Sequence, residues 1–153
     1  MKLRPLLDKF DGLASCLQSP LLLLVRLYWG LSFVQTGWGK LSHLDKTAAY
    51  FESLHLPMPR LNALAAGSTE CGCGLLLALG LFARPASVPL IGTMIVAYAT
   101  AESEALHSIF SDPDKFVTAE PFLFLLAALT VLAFGPGKFS LDALLGRPAA
   151  AGK

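Results

Sequence analysis

The chain has 153 residues, of which 54% are hydrophobic and 15% are charged, and its mean hydropathy is +0.59. This composition excludes an ordinary soluble domain and predicts a single-domain integral membrane protein that lies in a lipid bilayer. A net charge of +1, with no basic stripe in the sequence, argues against nucleic acid as a partner.

Residues 1–18 combine apolar positions at helical spacing with charges of both signs. The pattern predicts a short amphipathic helix on the membrane surface, with its basic side chains at the lipid headgroups. A frayed tail is the alternative, because Gly12 weakens a helix. Ser19 followed by Pro20 then predicts a new helix start, since a capping hydroxyl and a proline in the first turn favour that boundary.

The first predicted membrane span covers residues 20–41 and contains Arg26 and Lys40. An arginine near a helix end can extend to the interface. Arg26 lies about two turns inside the span, so a partner within the bundle is an equally good explanation. Trp38, near the other end of the span, suits an aromatic belt at the membrane surface.

A connector of residues 42–60 follows, and its apolar residues recur at helical spacing. Ser42 and Asp45 form a capping-box pattern, which predicts a short helix over the mouth of the bundle. Pro57 and Pro59 are expected to end it.

The second predicted span covers residues 61–82 and has Glu70 near its middle. Small residues surround this acid: Gly67, Cys71, Gly72, Cys73 and Gly74. Small residues let another helix backbone come close, and a carboxyl group at that depth needs a partner or a function. An antiparallel neighbour would bring Arg26 within reach, so the sequence predicts an Arg26–Glu70 pair. The pair has two interpretations: it holds the bundle together, or it lines a polar cavity for the head of a lipophilic substrate such as a quinone.

Cys71 and Cys73 are two residues apart, so on a helix their side chains point about 200° apart. Together with Cys16 they form neither a disulfide framework nor a CxxC redox pair. They are interpreted as small packing residues, and no direct thiol–disulfide role is predicted.

Two further spans are predicted, at residues 86–101 and 117–134. Between and beside them lie Glu102, Glu104 and Glu120, which are interpreted as a solvated rim; a metal site is the less favoured alternative. After the second of these spans, Gly135-Pro136-Gly137 breaks the helix, and Ser140 is expected to cap a short helix in the carboxyl-terminal tail.

Short connections between the four spans predict an all-α, antiparallel four-helix membrane bundle. The basic residues set its orientation. Seven lie on one side: Lys2, Arg4, Lys9, Arg84, Lys138, Arg147 and Lys153. Four lie on the other: Lys40, Lys46, Arg60 and Lys115. This bias predicts a multi-pass protein with both termini in the cytoplasm.

Four stretches in this order carry a family resemblance: LLVRLYWGLSFVQTGWGKL, LHLPMP, AAGSTECGCGLLLALGLFARPAS and GPGKFSLDALL. Together, from about Leu22 to Leu145, they resemble the DoxX family. The resemblance implies a four-helix protein of the bacterial inner membrane. Residues 1–153 are accordingly predicted to form one DoxX-like domain. Positions that match recurrent family residues are Arg26, Gly39, Lys40, Glu70, Gly72 and Leu75.

The family takes its name from a subunit of a thiosulfate- or quinol-oxidising complex, and other members resemble partners of thiol and oxidative-stress proteins. The resemblance therefore implies a subunit or partner in a quinone- or thiol-linked redox system, with a quinone as the candidate cofactor. Arg26, Glu70 and Lys40 are the candidate cofactor-binding residues. Two alternatives stay open: a transporter or lipophilic-ligand-binding bundle, and a non-catalytic membrane scaffold. Other membrane or redox proteins, or further copies of the chain, are candidate partners.

Overall fold

The computed structural model describes residues 4–146, and all regular secondary structure in this range is helical. Residues 1–3 and 147–153, including Lys2, Arg147 and Lys153 of the predicted cytoplasmic side, lie outside it. The described helices are α1 (Arg4–Ser42), α2 (Leu44–Ser53), α3 (Pro59–Leu79), α4 (Ala83–Thr100), α5 (Ser103–His107), α6 (Pro113–Thr118), α7 (Pro121–Phe134) and α8 (Leu141–Leu144).

Helix α1 runs without interruption through Pro20, so the prediction of a separate amino-terminal helix is wrong. A proline inside a helix removes one amide donor, and here the remaining turns continue on both sides of it. The Ser19 hydroxyl does not cap a new helix. It accepts a hydrogen bond of 3.3 Å from the Lys138 amide, in the segment that precedes α8.

Helices α1 and α3 form the most extensive pairing in the described chain, and glycines set its register. A Cβ at Gly30 would lie 2.7 Å from the Ala78 amide nitrogen. A Cβ at Gly37 would lie 2.7 Å from the carbonyl oxygen of Gly67. Gly37 follows Gly30 in the chain, whereas its contact Gly67 precedes Ala78, so the two helices are antiparallel. Their backbones are in contact at both positions.

The helix predicted inside the 42–60 connector is confirmed as α2, but its predicted cap is wrong. The residue before α2 is His43, and no side chain caps the helix. Helix α2 packs on α3 and ends before Pro57. Helix α3 then begins at Pro59, a position where a missing amide donor costs least.

Helices α4 and α7 pair with each other and enclose much of the apolar core. The core contains Phe33, Leu77, Ala83, Leu90, Met94, Ala128 and Val131. The fourth predicted span, 117–134, is too long: α6 ends at Thr118, Ala119 is extended, and α7 begins only at Pro121. The proline has no amide to donate to the preceding turn, which favours the break at that point.

Within the described residues, one helix is both long and apolar enough to cross a membrane by length and composition, the segment Ala14–Ser42. Helix α3 has 21 residues, and its polar residues, among them Glu70 and Asn62, lower its hydropathy. Helix α4 has 18 residues, and α7 is a shorter apolar helix of 14 residues.

The two ends of the bundle differ. One end, called the α2 end, carries α2, α5 and α6. The opposite end, called the α8 end, carries the turn at residues 80–82 and α8. At the α8 end the Ser140 hydroxyl accepts a hydrogen bond of 3.2 Å from the Ala143 amide, which confirms the predicted cap.

Candidate functional site

The candidate site begins with the close approach of α1 and α3 near the α2 end. Gly37 has no side chain, and α3 passes so close that a Cβ there would collide with Glu70 and with the α3 backbone. Lys40 lies three residues further along α1, on the same side of the helix. Its side chain therefore starts within reach of the Glu70 carboxylate.

Lys40 and Glu70 form an ion pair, with Nζ 2.6 Å from Oε2. The Thr36 hydroxyl, one turn before Lys40, donates a second hydrogen bond of 3.1 Å to the same oxygen. The Glu70 side chain is 3% exposed and that of Lys40 is 29% exposed. Glu70 is thus the buried partner, and the Lys40 side chain is the more exposed one.

A cavity of about 460 Å³ lies beside this pair. Much of its wall is apolar and includes Phe51, Leu54, Leu56, Met94, Val96 and Phe124. The polar groups of the wall include Thr36, Lys40, Glu70, Glu102 and Glu120. A volume of this size, mostly apolar with a few polar groups, is typical of small-molecule sites.

The α4 side of the cavity is open. Pro89, Gly92 and Val96 line the cavity and are also exposed on the surface of the described chain. A Cβ added at Gly92 would meet nothing within 4 Å. The same face of α4 exposes large apolar residues such as Ile95, so this side of the cavity suits an apolar molecule.

Arg26 lies elsewhere, and the predicted Arg26–Glu70 pair is wrong. Its guanidinium is fully buried and crowds Gly80, where an added Cβ would collide with Nη1. Gly80, which directly follows the last residue of α3, is ten residues beyond Glu70, or about 15 Å along the helix axis. The structure therefore brings two of the three candidate residues together, Lys40 and Glu70, and sets Arg26 apart at the α8 end.

Arg26 helps to hold the carboxyl-terminal segment in place. Its Nη2 donates a hydrogen bond of 2.5 Å to the Phe139 carbonyl, and it interacts electrostatically with Asp142. The two Asp142 carboxylate oxygens accept hydrogen bonds from the Phe82 and Ala83 amides, at 3.0 and 3.1 Å. Asp142 thereby satisfies amide donors at the start of α4, and the segment closes the α8 end.

The cysteines of α3 form no disulfide bond. Cys71 and Cys73 are both free, and the Cys71 thiol donates a hydrogen bond of 3.5 Å to the Val34 carbonyl in the α1–α3 contact. This contact fits the interpretation of Cys71 as a packing residue.

Sequence reasoning missed Thr36 and interpreted Glu102 and Glu120 as a solvated rim, without placing them in a cavity. Thr36 carries a local signal, because it lies one turn from Lys40 on the same helix face. Glu102 and Glu120 are near the cavity only through the packing of α4 against α7, so no local pattern indicates them. Glu104, the third acid of the predicted rim, forms an ion pair of 2.9 Å with Lys115.

These features define a class: an all-helical membrane protein with a buried ion pair beside a cavity of ligand size. A family model named DoxX matches residues 21–103 of the chain. The chain belongs to the DoxX family, which confirms the resemblance seen in its sequence.

Two relatives extend this similarity beyond the matched region. The chain is 32% identical over 144 residues to the uncharacterized membrane protein Rv3486 of Mycobacterium tuberculosis, which covers 86% of this chain and 85% of the relative. It is 28% identical over 131 residues to the inner membrane protein YqjF of Escherichia coli, covering 82% and 92% of the two chains. No solved structure matches the chain significantly.

Proposed function

We propose that α1, α3, α4 and α7 all cross the bacterial inner membrane, with both termini in the cytoplasm. The antiparallel pairing of α1 with α3 supports this arrangement, as does the greater number of basic residues predicted on the α8 side. A reporter fused within α2 should be exported, and one fused at Arg84 should stay inside. An α2 fusion that is retained in the cytoplasm would contradict the orientation.

We propose further that the cavity binds the polar head of a lipophilic molecule, with a quinone as the ligand. The observation that carries this proposal is the Lys40–Glu70 pair beside a mainly apolar cavity. Buried ionisable groups within a membrane are costly. A ligand-binding role gives a reason to keep the pair in the wall of a cavity.

The geometry offers both kinds of hydrogen bond that such a head requires. Both contacts to Glu70 go to Oε2, and Oε1 accepts from no other described residue, so it is available to a ligand hydroxyl. Lys40 carries three N–H donors and is the more exposed partner, so it can donate to a ligand carbonyl. A quinone presents carbonyls when oxidised and hydroxyls when reduced, and the pair can serve either form.

The wider role that we propose is that of a subunit or partner in a quinone-linked redox system. The redox role implied by the resemblance to the DoxX family supports this proposal. Between the quinone- and thiol-linked alternatives, the contacts favour the quinone, because Cys71 is engaged in the α1–α3 contact, whereas Lys40 lines the cavity.

A fluorescence titration tests the binding site. The Trp29 ring packs against Phe124, with their centroids 4.9 Å apart, and Phe124 lines the cavity. Replacing Trp38 by Phe leaves Trp29 as the sole tryptophan, placed to report a quinone in the cavity. Decyl-ubiquinone should quench this fluorescence in a saturable manner.

Two glycine variants provide a matched comparison. Gly92→Leu places a side chain in the cavity opening and should abolish saturable quenching. Gly72→Leu adds the same bulk on α3, where a Cβ meets nothing within 4 Å and which is not part of the cavity wall, so quenching should persist. Equal quenching of both variants would contradict the proposed site. Flux of the quinone across proteoliposomes would instead support a transporter.

A further inference from the structure

The charges around the cavity are unequal. The described residues of its lining include one cation, Lys40, and three carboxylates, Glu70, Glu102 and Glu120. The formal charge of this lining is therefore −2. Lys40 and Glu70 neutralise each other at 2.6 Å, so the excess charge belongs to the two glutamates near the α2 end.

The other cations near the α2 end do not offset this charge. Lys115 shares a neighbouring surface depression with Glu102, Glu104 and Glu120, but its ammonium is paired with Glu104 at 2.9 Å. The Arg60 guanidinium is paired with Asp45, with Nη2 3.7 Å from Oδ1. Neither Arg60 nor Lys46 belongs to the lining of the cavity.

Aromatic rings also line the cavity. Tyr50 and Phe51 of α2 line the cavity together with Phe124 of α7. Aromatic faces attract ammonium groups, and the attraction is greatest where water is excluded. Carboxylates and aromatic rings therefore both favour a positive head in the cavity, and the carboxylates repel a negative one.

We infer that the site takes amphiphiles whose heads are neutral or cationic, such as lipophilic ammonium compounds, and excludes anionic amphiphiles. This inference rests on the proposed function, because it assigns the ligand class of the same cavity. An anionic head that reached Lys40 would compete with Glu70 for the ammonium and would share the cavity with two further carboxylates. Glu102 is half-buried and Glu120 is exposed, so this repulsion is strongest at low ionic strength, where salt screens it least.

The experiment is a displacement series in nanodiscs of zwitterionic lipid. The Trp38→Phe protein is first loaded with decyl-ubiquinone, so that Trp29 fluorescence is quenched. Dodecyltrimethylammonium and dodecanoate, whose alkyl chains differ in length by one carbon, are then added separately. The Gly92→Leu variant measures the signal that arises from partition into the lipid alone.

We expect the ammonium compound to restore fluorescence at a concentration at least ~10-fold lower than dodecanoate, since like charges held close together strongly disfavour binding. The double change Glu102→Gln with Glu120→Gln should reduce this ratio to within about threefold. Neither glutamate side chain caps its adjacent helix, so the variant should fold. Glu52→Gln with Asp114→Asn alters net charge equally at exposed positions outside the lining and should leave the ratio unchanged.

The outcomes separate the two proposals. Saturable quenching by the quinone together with equal displacement by both dodecyl compounds would overturn the charge preference and leave the quinone site standing. If the pair Glu52→Gln and Asp114→Asn reduces the ratio of the two displacing concentrations as much as the pair Glu102→Gln and Glu120→Gln does, the preference comes from net charge. That result would overturn the inference. Absence of saturable quinone quenching would overturn the proposed function and this inference together.

Discussion

Lys40 and Glu70, thirty residues apart in the chain, meet at 2.6 Å where α1 and α3 cross near the α2 end. The two partners are unequally buried, because Glu70 is 3% exposed and Lys40 is 29% exposed. Because of this difference in burial, we expect loss of Lys40 and loss of Glu70 to destabilise the fold by different amounts.

Lys40→Met should be the more damaging of the two single changes. It leaves a carboxylate buried with only the Thr36 hydroxyl as a partner, and stranding one half of a buried pair costs about 3–5 kcal/mol. Glu70→Gln should cost less, because the released lysine can extend toward the membrane surface. Melting temperatures in detergent measure both effects, with Lys46→Met as the exposed control.

The double variant Lys40→Met with Glu70→Gln should recover much of the loss, since no charge is then stranded. Contacting residues show such coupling, whereas independent residues have additive effects. If the two losses simply add, the ion pair does not contribute to stability.

The close packing of α1 on α3 gives a second prediction, in which neighbouring glycines serve as variant and control. A Cβ at Gly37 would lie 2.7 Å from the Cys71 amide nitrogen, whereas a Cβ at Gly39 would meet nothing within 4 Å. Gly37→Ala should destabilise the bundle by about 1–3 kcal/mol, the range typical of overpacking. Gly39→Ala should stabilise it by about 0.5–1 kcal/mol, because alanine favours the helix. Thermal unfolding of the two variants in the same detergent makes the comparison; similar melting temperatures would show that the helices are not in backbone contact at Gly37.

These glycines also explain how far the sequence could predict the fold. The number and type of the long helices follow from apolar runs about 20 residues long, and the Ser140 cap follows from a local pattern. The partner of Arg26 could not be predicted from a local pattern. It depends on the antiparallel register of α1 and α3, which places Arg26 beside Gly80 and Lys40 beside Glu70.

Two other features escaped prediction for different reasons. Ser19-Pro20 has the local signature of a helix start, yet Ser19 accepts a hydrogen bond from Lys138, a residue far along the chain. The cavity forms where α1, α2, α3, α4 and α7 meet, and Gly92 leaves space in its wall. Empty space between helices has no sequence signature, so only the charged residues of the site were predictable.

Asp142 gives a third prediction, at the α8 end. It accepts the Phe82 and Ala83 amides, so Asp142→Ala removes a cap from α4 and should cost about 0.5–2 kcal/mol. Asp45→Ala, whose side chain is 89% exposed, should have almost no effect. Thermal unfolding in detergent measures both.

Arg26→Met should loosen the same segment, because it removes the hydrogen bond to the Phe139 carbonyl. The amide of Asp142, which donates to the Gly80 carbonyl at 2.9 Å, should then exchange its hydrogen faster. Unchanged exchange at this amide would mean that Arg26 does not hold the carboxyl-terminal segment.

The last prediction concerns the Glu104–Lys115 ion pair, which lies outside the proposed spans. The hydrogen bond from Lys115, together with its charge, lowers the pKa of Glu104, and the hydrogen bond to Glu104 raises the pKa of Lys115. The contribution of Glu104 to stability is present above its unfolded pKa and is lost as pH falls through the lowered folded pKa. That of Lys115 is present below its unfolded pKa and is lost as pH rises through the raised folded pKa. The pair therefore contributes fully between the ordinary values of 4.5 and 10.5.

A titration of Glu104 by carbon NMR in the selectively labelled protein tests this coupling. Lys115→Met should return the pKa of Glu104 upward toward its ordinary value, and high salt should do so in part. The side chains of Glu104 and Lys115 are 85% and 50% exposed, and exposed pairs contribute little to stability. Lys115→Met should therefore leave the melting temperature at neutral pH almost unchanged while it moves the titration. If Glu104 titrates identically in both proteins, the ion pair does not persist in solution.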